Sequence, residues 1–576
     1  MRIVFRFLLR YGVRYLPWYA AGTVMLAATN WLSVTIPLYL ADGIDALALG
    51  PAGREIILRN ALIVGVMGAA VIVVRTASRL LFFTPGRLVE AEVKHDLFAS
   101  MIRHQPAFLD QWPTGDLVSR AASDVNMVRL LAGFTALGII NTVVALTLVG
   151  TQMFRISPLL AGYALIPLGC GFLITLAFVD QLRALMALLQ QQAAQLSDHI
   201  LSSYQGVAAI HSFRAEPAFQ EQFHEINAAY LGTTLKRANL GVVIGPVLSL
   251  AASFNVFLLL YVGGPMAMSG EITVGELVAF TTLVALLAGP LRGLSFIITL
   301  FKQAEASLVR IDAILLAEPD RPDLPNPEPA PQSPPALSVR GLTFAYPGED
   351  TPVLKDVSFD IPAGSTVGIL GATGSGKSTL LRCLSRLYNP PPGTVFVDGT
   401  DILDIDLDGW RRTVAHVPQR AFLFSETVGD NIMLGDDDPA VLARVLEIAA
   451  LQVDMAALPD GAQTRVGEAG LTLSGGQRQR VAIARGLARP RAMLMLDDVL
   501  SAVDHSTERA LIDALRGQAT RPTTIIVANR ISALQHSDLI LCMDDGQIVE
   551  RGTHTELIGS DGIYRQNWEH QREGEQ

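Results

Sequence analysis

Cysteine is nearly missing from this chain. Among 576 residues there are three, Cys170, Cys383 and Cys542, far apart in sequence. That spacing builds neither a thiolate metal site nor a disulfide framework, and all three are expected to be small buried apolar residues. Charge is scarce too: Asp, Glu, Lys and Arg make up 17% of the chain, against 50% hydrophobic residues. The net charge of −10 argues against a nucleic-acid binder. No cleavable leader is expected either. Residues 1–16 carry Arg2, Arg6, Arg10 and Arg14 but no apolar core ahead of a small-residue cleavage point.

What the chain does have is long uncharged stretches. Residues 16–41, 60–74, 130–154, 156–179 and 238–270 are five apolar runs; a sixth, 277–291, continues past Arg292 to Phe301. Crossing the hydrocarbon takes about 20 helical residues, fewer where the ends snorkel. Six membrane spans are predicted over residues 16–310. Their connections alternate. Those after the second and fourth spans, residues 80–129 and 180–237, are long, polar and helix-like. At about 1.5 Å per residue, some 50 residues folded back as two helices reach roughly 35 Å, so these connections are arms rather than loops. Lysines and arginines gather in the long connections, which puts both termini and both arms in the cytoplasm. Residues 1–15, with arginine at four-residue spacing beside apolar positions, read as an amphipathic helix on the inner membrane surface. Arg75 and Arg292 fall at similar depth near the inner leaflet. They suit either a basic entrance for amphipathic anions such as lipids or snorkelling to headgroups.

Residues 316–336 are dense in proline and form a linker. From Leu337 to the end, residues 337–576, short apolar strands alternate with helical patterns, predicting an α/β domain with a largely parallel sheet. Within it, "GILGATGSGKSTLL" follows an apolar strand and opens a helix. Gly371, Gly374 and Gly376 let backbone N–H groups, with Ser375 and Thr379 alongside, close around phosphates. Lys377 neutralises charge and Ser378 can ligate magnesium. The strand "RAMLMLDD" ends in Asp497, a partner for that metal. "LSGGQ", with Ser474, Gly475, Gly476 and Gln477, opens a second helix end suited to anions. One ATP needs only one such loop, so the second end is explained if it caps an ATP held by another copy of the domain.

Taken in order, these motifs resemble those of ATP-binding-cassette proteins. The resemblance implies that Tyr346 in "FAYP" stacks on adenine and that Gln419 in "HVPQRAFLF" touches magnesium and senses the membrane domain. It implies that "SAVD", ending in Asp504, crosses a dimer interface. Six spans, two arms and a C-terminal cassette resemble a half-transporter of the bacterial multidrug and lipid exporter type. "FLDQWPTGDLVSRAASDV" and "GVAAIHSFRAEPAFQEQF" look like its coupling segments. The fold so implied is an all-α six-span transmembrane domain with cytoplasmic arms, fused to an α/β P-loop cassette. The implied ligands are ATP and Mg2+, the latter on Ser378, Gln419 and Asp497. The implied place is the inner membrane, and the implied cargo a drug, lipid or peptide.

Two positions depart from the family pattern. The usual catalytic glutamate is Asp498, and the usual switch histidine of "IIVAHR" is Asn529 in "IIVANR". Aspartate loses roughly 1.5 Å of reach, and a misplacement of about 1 Å can cost on the order of a hundredfold in rate. Asparagine donates a hydrogen bond but carries no proton or charge. Both changes fall on chemistry, while Lys377, Ser378, Gln419 and Asp497 remain. The expectation is a hydrolysis-impaired site in a heterodimer, with the intact signature serving the partner's ATP. A homodimeric exporter, an importer of the same fold, a regulatory non-transporting half and a soluble cassette protein are the rival readings.

Overall fold

The computed structural model describes residues 2–317, 326–436, 438–467, 470, 473–502, 508 and 521–574. It divides into two units: residues 1–100 with 114–317, and residues 101–113 with 318–576.

The first unit is helical. Its long helices are α1 (Leu16–Asp45), α2 (Arg54–Arg103), α3 (Ala136–Ile156), α4 (Pro158–Gln205), α5 (Glu216–Ser269) and α6 (Val274–Leu315). Each carries all or most of one predicted apolar run. In hydrocarbon every backbone group must be satisfied within its own segment, which selects helix for such runs. Among the described residues, Arg2–Arg103 and Thr114–Ile156 are the helical stretches long and apolar enough to cross a membrane. Shorter apolar segments lie within α4, α5 and α6. α2 has 50 residues and α5 has 54. At about 1.5 Å per residue these far exceed a bilayer core, so the arms are continuations of the spans.

Polar groups pin the helices to one another. Asn30 Nδ2 donates to Asn141 Oδ1 at 3.0 Å, and Asn255 Nδ2 donates to the Ala164 carbonyl at 2.8 Å. Thr273 and Glu276 form a capping box at the start of α6, where Gly275 N–H also donates to Asp45 Oδ1 at 2.8 Å. Lower down, buried Asp124 accepts from Ser307 Oγ at 2.9 Å and from Arg310 Nε at 2.8 Å.

Three of the N-terminal arginines form ion pairs within the helical unit. Arg6 pairs with Asp312, Arg10 with Asp96 at 3.3 Å and Arg14 with Glu92 at 2.9 Å. Tyr11 and Tyr15 donate to the same Asp96 and Glu92 at 2.6 and 2.8 Å. Val4, Phe7 and Tyr11 are buried, whereas Phe5, Leu8, Leu9 and Val13 are exposed. Three arginines of the basic stripe therefore pair with carboxylates of α2 and α6 while remaining more than half exposed. The apolar stripe is the surface offered outward. Each exposed ion pair contributes about 1 kcal/mol or less.

The second unit is α/β. A six-stranded sheet has the order β10-β9-β3-β8-β7-β6, from β3 (Thr366–Gly371), β6 (Val414–Val417), β7 (Met493–Asp497), β8 (Thr523–Val527), β9 (Leu539–Asp544) and β10 (Gln547–Gly552). All its pairings are parallel except β9 with β10. β7 and β8 are buried along their whole length, as the continuous runs "MLMLD" and "TTIIV" require of central parallel strands. The largely parallel sheet is as expected; a second, antiparallel sheet of order β2-β1-β4-β5 adds to it. It uses β1 (Leu337–Phe344), β2 (Leu354–Ile361), β4 (Val395–Val397) and β5 (Thr400–Asp401).

The described end of the proline-rich segment is also more ordered than a linker. Glu328 N–H donates to the Asp404 carbonyl at 2.9 Å, and the Pro331 and Pro335 carbonyls accept from Thr413 and Thr523. The tip of the first arm, residues 101–113, belongs to this unit. There the Tyr388 hydroxyl donates to Asp110, and Gln105 Nε2 donates to Asn389 Oδ1 at 3.3 Å. Trp410 is fully buried with its N–H on the Leu384 carbonyl, and so is a packing residue. Cys383 and Cys542 are buried, but Cys170 is exposed, which corrects its expected burial.

Candidate functional site

β3 runs into a tight loop and then into α7 (Lys377–Leu384). The loop turns where Gly374 and Gly376 take φ of 89° and 96°, a region side chains resist. Gly371 is constrained differently: a Cβ there would lie 2.3 Å from the Met543 carbonyl oxygen. It therefore sits beneath the loop and does not line the cavity. That cavity, of about 190 Å³, is lined by residues 373–379 of the loop, by Gln419, Asp497 and Asp498, and by Val353, Val527 and Asn529. The parallel register delivers the last of these, since β7 and β8 both end beside the loop after β3.

Lys377 Nζ donates to the Gly371 and Ala372 carbonyls at 2.6 and 2.8 Å. Burial lowers its pKa, while Asp498 and Asp497 pull it back up. Ser378 Oγ donates to Asp497 Oδ1 at 3.0 Å. Burial raises the Asp497 pKa, and the Ser378 hydrogen bond opposes that rise. Ser375 Oγ is buried with no hydrogen-bond partner among the described residues. An orphaned hydroxyl, a buried ammonium and a helix N-terminus facing one cavity fit a nucleotide's phosphates. Ser378 and Asp497 fit the magnesium that accompanies them. Bound there, the ion would neutralise phosphate charge and polarise the terminal phosphoryl group.

Tyr346 does not line this cavity. Its hydroxyl contacts Thr379 Oγ1 at 2.9 Å and accepts from Arg382 at 3.0 Å, and its ring meets Phe344 and Tyr388 edge-on. It is thereby fixed beside the first turn of α7.

Gln419, Asp498 and Asn529 meet at one carboxylate oxygen. Asp498 Oδ2 accepts from Gln419 Nε2 at 3.1 Å and from Asn529 Nδ2 at 3.0 Å. Gln419 thus reaches Asp498 rather than the Ser378–Asp497 pair. Asp498 itself has φ of 50°, a left-handed conformation that short polar side chains tolerate best.

The second helix end belongs to α8 (Gly475–Leu487), which begins with Gly475 and Gly476. Ser474 caps it in a box with Gln477. None of these residues lines the cavity around Lys377. Sequence reading missed Asp454, which accepts from Gln477 Nε2 at 2.9 Å and Arg480 at 2.7 Å and so fixes the signature's glutamine. Asp504 lies outside the described residues.

In the helical unit a cavity of about 280 Å³ is lined by Asn30, Arg75, Ser78, Arg79 and Asn141 among apolar neighbours. Of Arg292 only the backbone is described.

Comparison with known proteins decides the family. A profile described as the ABC transporter transmembrane region matches residues 19–291, and one described as ABC transporter matches residues 354–501. The chain is 33% identical over 557 residues to a probable multidrug resistance ABC transporter ATP-binding/permease protein, YheI, of Bacillus subtilis, covering 96% of this chain and 95% of that one. The chain belongs to the ABC transporters. A relative from Pseudomonas fluorescens, an ATP-dependent lipid A-core flippase, is 34% identical over 494 residues, covering 82% of this chain and 78% of the flippase. The structure of a bacterial Atm1-family ABC exporter with ATP bound superposes with a TM-score of 0.81 at 26% identity, over 98% of this chain and 99% of that one. The transporter is therefore an exporter-type half, a membrane region fused to a cassette. Its enzymatic activity is ATP hydrolysis coupled to transport, with ATP and Mg2+ at the cassette.

Proposed function

We propose that this ABC transporter chain is the slowly hydrolysing half of a heterodimeric exporter. The observation that carries the reading is the Asp498 corner, where one carboxylate oxygen takes two amide donors, from Gln419 and Asn529. Two amides thus compete for that oxygen, and the side chain is a methylene shorter than the family's glutamate. Lys377, Ser378 and Asp497 keep the residue types that hold ATP and magnesium. Ser474–Gln477, absent from the cavity lining, suits the nucleotide of a second cassette. ATP between two cassettes favours their closed arrangement, and closure moves the arms and spans by population shift. The arm tip joined to the cassette through Tyr388 and Asp110 supports that route. Hydrolysis at the partner's stronger site then reopens the pair. The spans cross the inner membrane, with the cassette and both termini in the cytoplasm.

The cargo in this reading is an amphipathic drug, lipid or peptide, in keeping with relatives named for multidrug resistance and lipid A-core flipping. The polar cavity around Arg75 and Asn141, set among apolar side chains, suits a molecule with a polar head and an apolar body.

The test is ATPase activity of the purified chain alone and with a second half-transporter that carries the glutamate and histidine. The pair is expected to turn over at least about tenfold faster than the chain alone. Robust turnover by the chain alone, abolished by Asp498→Asn, rejects the pairing and leaves a homodimer.

A further inference from the structure

The C-terminal helix α9 (Ile563–Gly574) reaches the hydrolytic corner through one side chain. Gln571 Oε1 accepts from Ile531 N–H at 2.9 Å, and Gln571 Nε2 donates to the Asn529 carbonyl at 2.8 Å. A carboxamide that takes both groups grips the backbone on either side of Arg530, as a neighbouring strand would. The helix carrying it is itself fixed. Tyr564 is fully buried with its hydroxyl 2.6 Å from His554 Nδ1, and its backbone N–H donates to Glu550 at 3.2 Å. Asn529 in turn donates its side-chain amide to Asp498. A continuous chain of contacts therefore runs from α9 through one amide to the carboxylate beside the phosphate loop.

We propose that Gln571 is a positioning residue for ATP hydrolysis: by clamping the Asn529 and Ile531 backbone it sets where the Asn529 side chain stands against Asp498. It does not reach the P-loop lining, so its action is on turnover and not on nucleotide affinity. The inference uses the site described above but not the heterodimer reading, since clamp, switch and carboxylate all lie in one chain.

The experiment uses the full-length chain in proteoliposomes, with radiolabelled ATP under single-turnover conditions, alongside equilibrium ATP binding and amide hydrogen exchange. With Gln571→Ala the hydrolysis rate is expected to fall about tenfold while ATP affinity changes less than about twofold, the loss of alignment being felt only in the reacting geometry. Exchange is expected to quicken at residues 529–531 and to stay unchanged in β8. Exchange reads the clamp even where turnover is slow. Gln571→Glu supplies a second arm. Its carboxylate accepts from Ile531 but repels the Asn529 carbonyl, whereas its protonated form donates as the amide does. Its rate, relative to the unsubstituted chain at the same pH, is therefore expected to recover as the pH is lowered. An unchanged rate with Gln571→Ala, a parallel loss of affinity, unaltered exchange at 529–531, or a pH-independent ratio for Gln571→Glu each overturns the proposal. None of these outcomes bears on whether the chain pairs with a second, different half.

Discussion

Two walls of the same cavity are built differently. The phosphate-binding wall is mostly backbone: the turn between β3 and α7 presents N–H groups, and Lys377 and Ser378 extend from the first helical turn. The hydrolytic wall is three side chains, Gln419, Asp498 and Asn529, arriving from separate strand ends and meeting at one carboxylate oxygen. A backbone wall survives most substitutions, because its donors do not depend on side-chain identity. A side-chain wall can lose its chemistry through one methylene. In the function proposed above, binding and turnover are thus separately encoded, and a chain can keep the first while shedding much of the second.

The strongest way to break this comparison is to damage the phosphate-binding wall. Lys377→Ala removes the ammonium from the cavity. A charged hydrogen-bonding group is worth about 3 kcal/mol at the upper end, or on the order of a hundredfold in ATP affinity. Equilibrium binding of radiolabelled ATP checks it. Retained affinity means that the nucleotide is held elsewhere.

Repairing the hydrolytic wall sharpens the comparison with a smaller effect of opposite sign. Asp498→Glu combined with Asn529→His restores reach and a protonatable switch. Turnover by the chain alone is expected to rise at least about tenfold, with ATP affinity nearly unchanged. A cost of about 1 kcal/mol in stability is expected, because a longer side chain sits less well at a positive φ. A repaired corner with no gain in steady-state ATPase rate means that something other than these two side chains limits turnover.

The difference between the walls also explains what could be read from sequence. Glycines at fixed offsets and a lysine after a strand announce a phosphate loop, because the backbone must turn there and only certain residues permit it. The six long helices were equally legible, since long uncharged runs have one solution in lipid. Side chains that converge from distant positions left no such trace. Asp454 beneath the signature, Gln571 behind the switch and the carboxylates Glu92, Asp96 and Asp312 that receive the N-terminal arginines are single polar residues in otherwise ordinary segments. Their roles depend on register between elements, which periodicity does not encode. The antiparallel sheet was hidden for a related reason: short strands such as Val395–Val397 show no alternation long enough to reveal a partner.

A further expected effect separates the walls by acid. His416 stands on β6, shortly before Gln419, and burial with a contribution from Arg382 pushes its pKa down to about 4. Its Nε2 is buried without a hydrogen-bond partner among the described residues. In the folded cassette the ring stays neutral through mildly acidic pH, whereas in the unfolded chain it takes up a proton near its ordinary value of about 6.5. The unfolded state then binds more protons, so this share of stability is fully present above about pH 6.5 and is lost as the pH falls from there towards 4. Between about pH 7 and pH 5 the loss amounts to about 2 kcal/mol. His416→Gln cannot titrate and forfeits no hydrogen bond from Nε2. The thermal midpoint of the variant is therefore expected to fall less than that of the unsubstituted chain over this range, by a few degrees for a domain of this size. Because β6 leads into Gln419 while the phosphate loop hangs from β3, acid should loosen the hydrolytic wall first. Amide exchange at residues 414–419 is expected to quicken at pH 5 before exchange at residues 371–379 does, and the opposite order would show that the two walls are not independently supported.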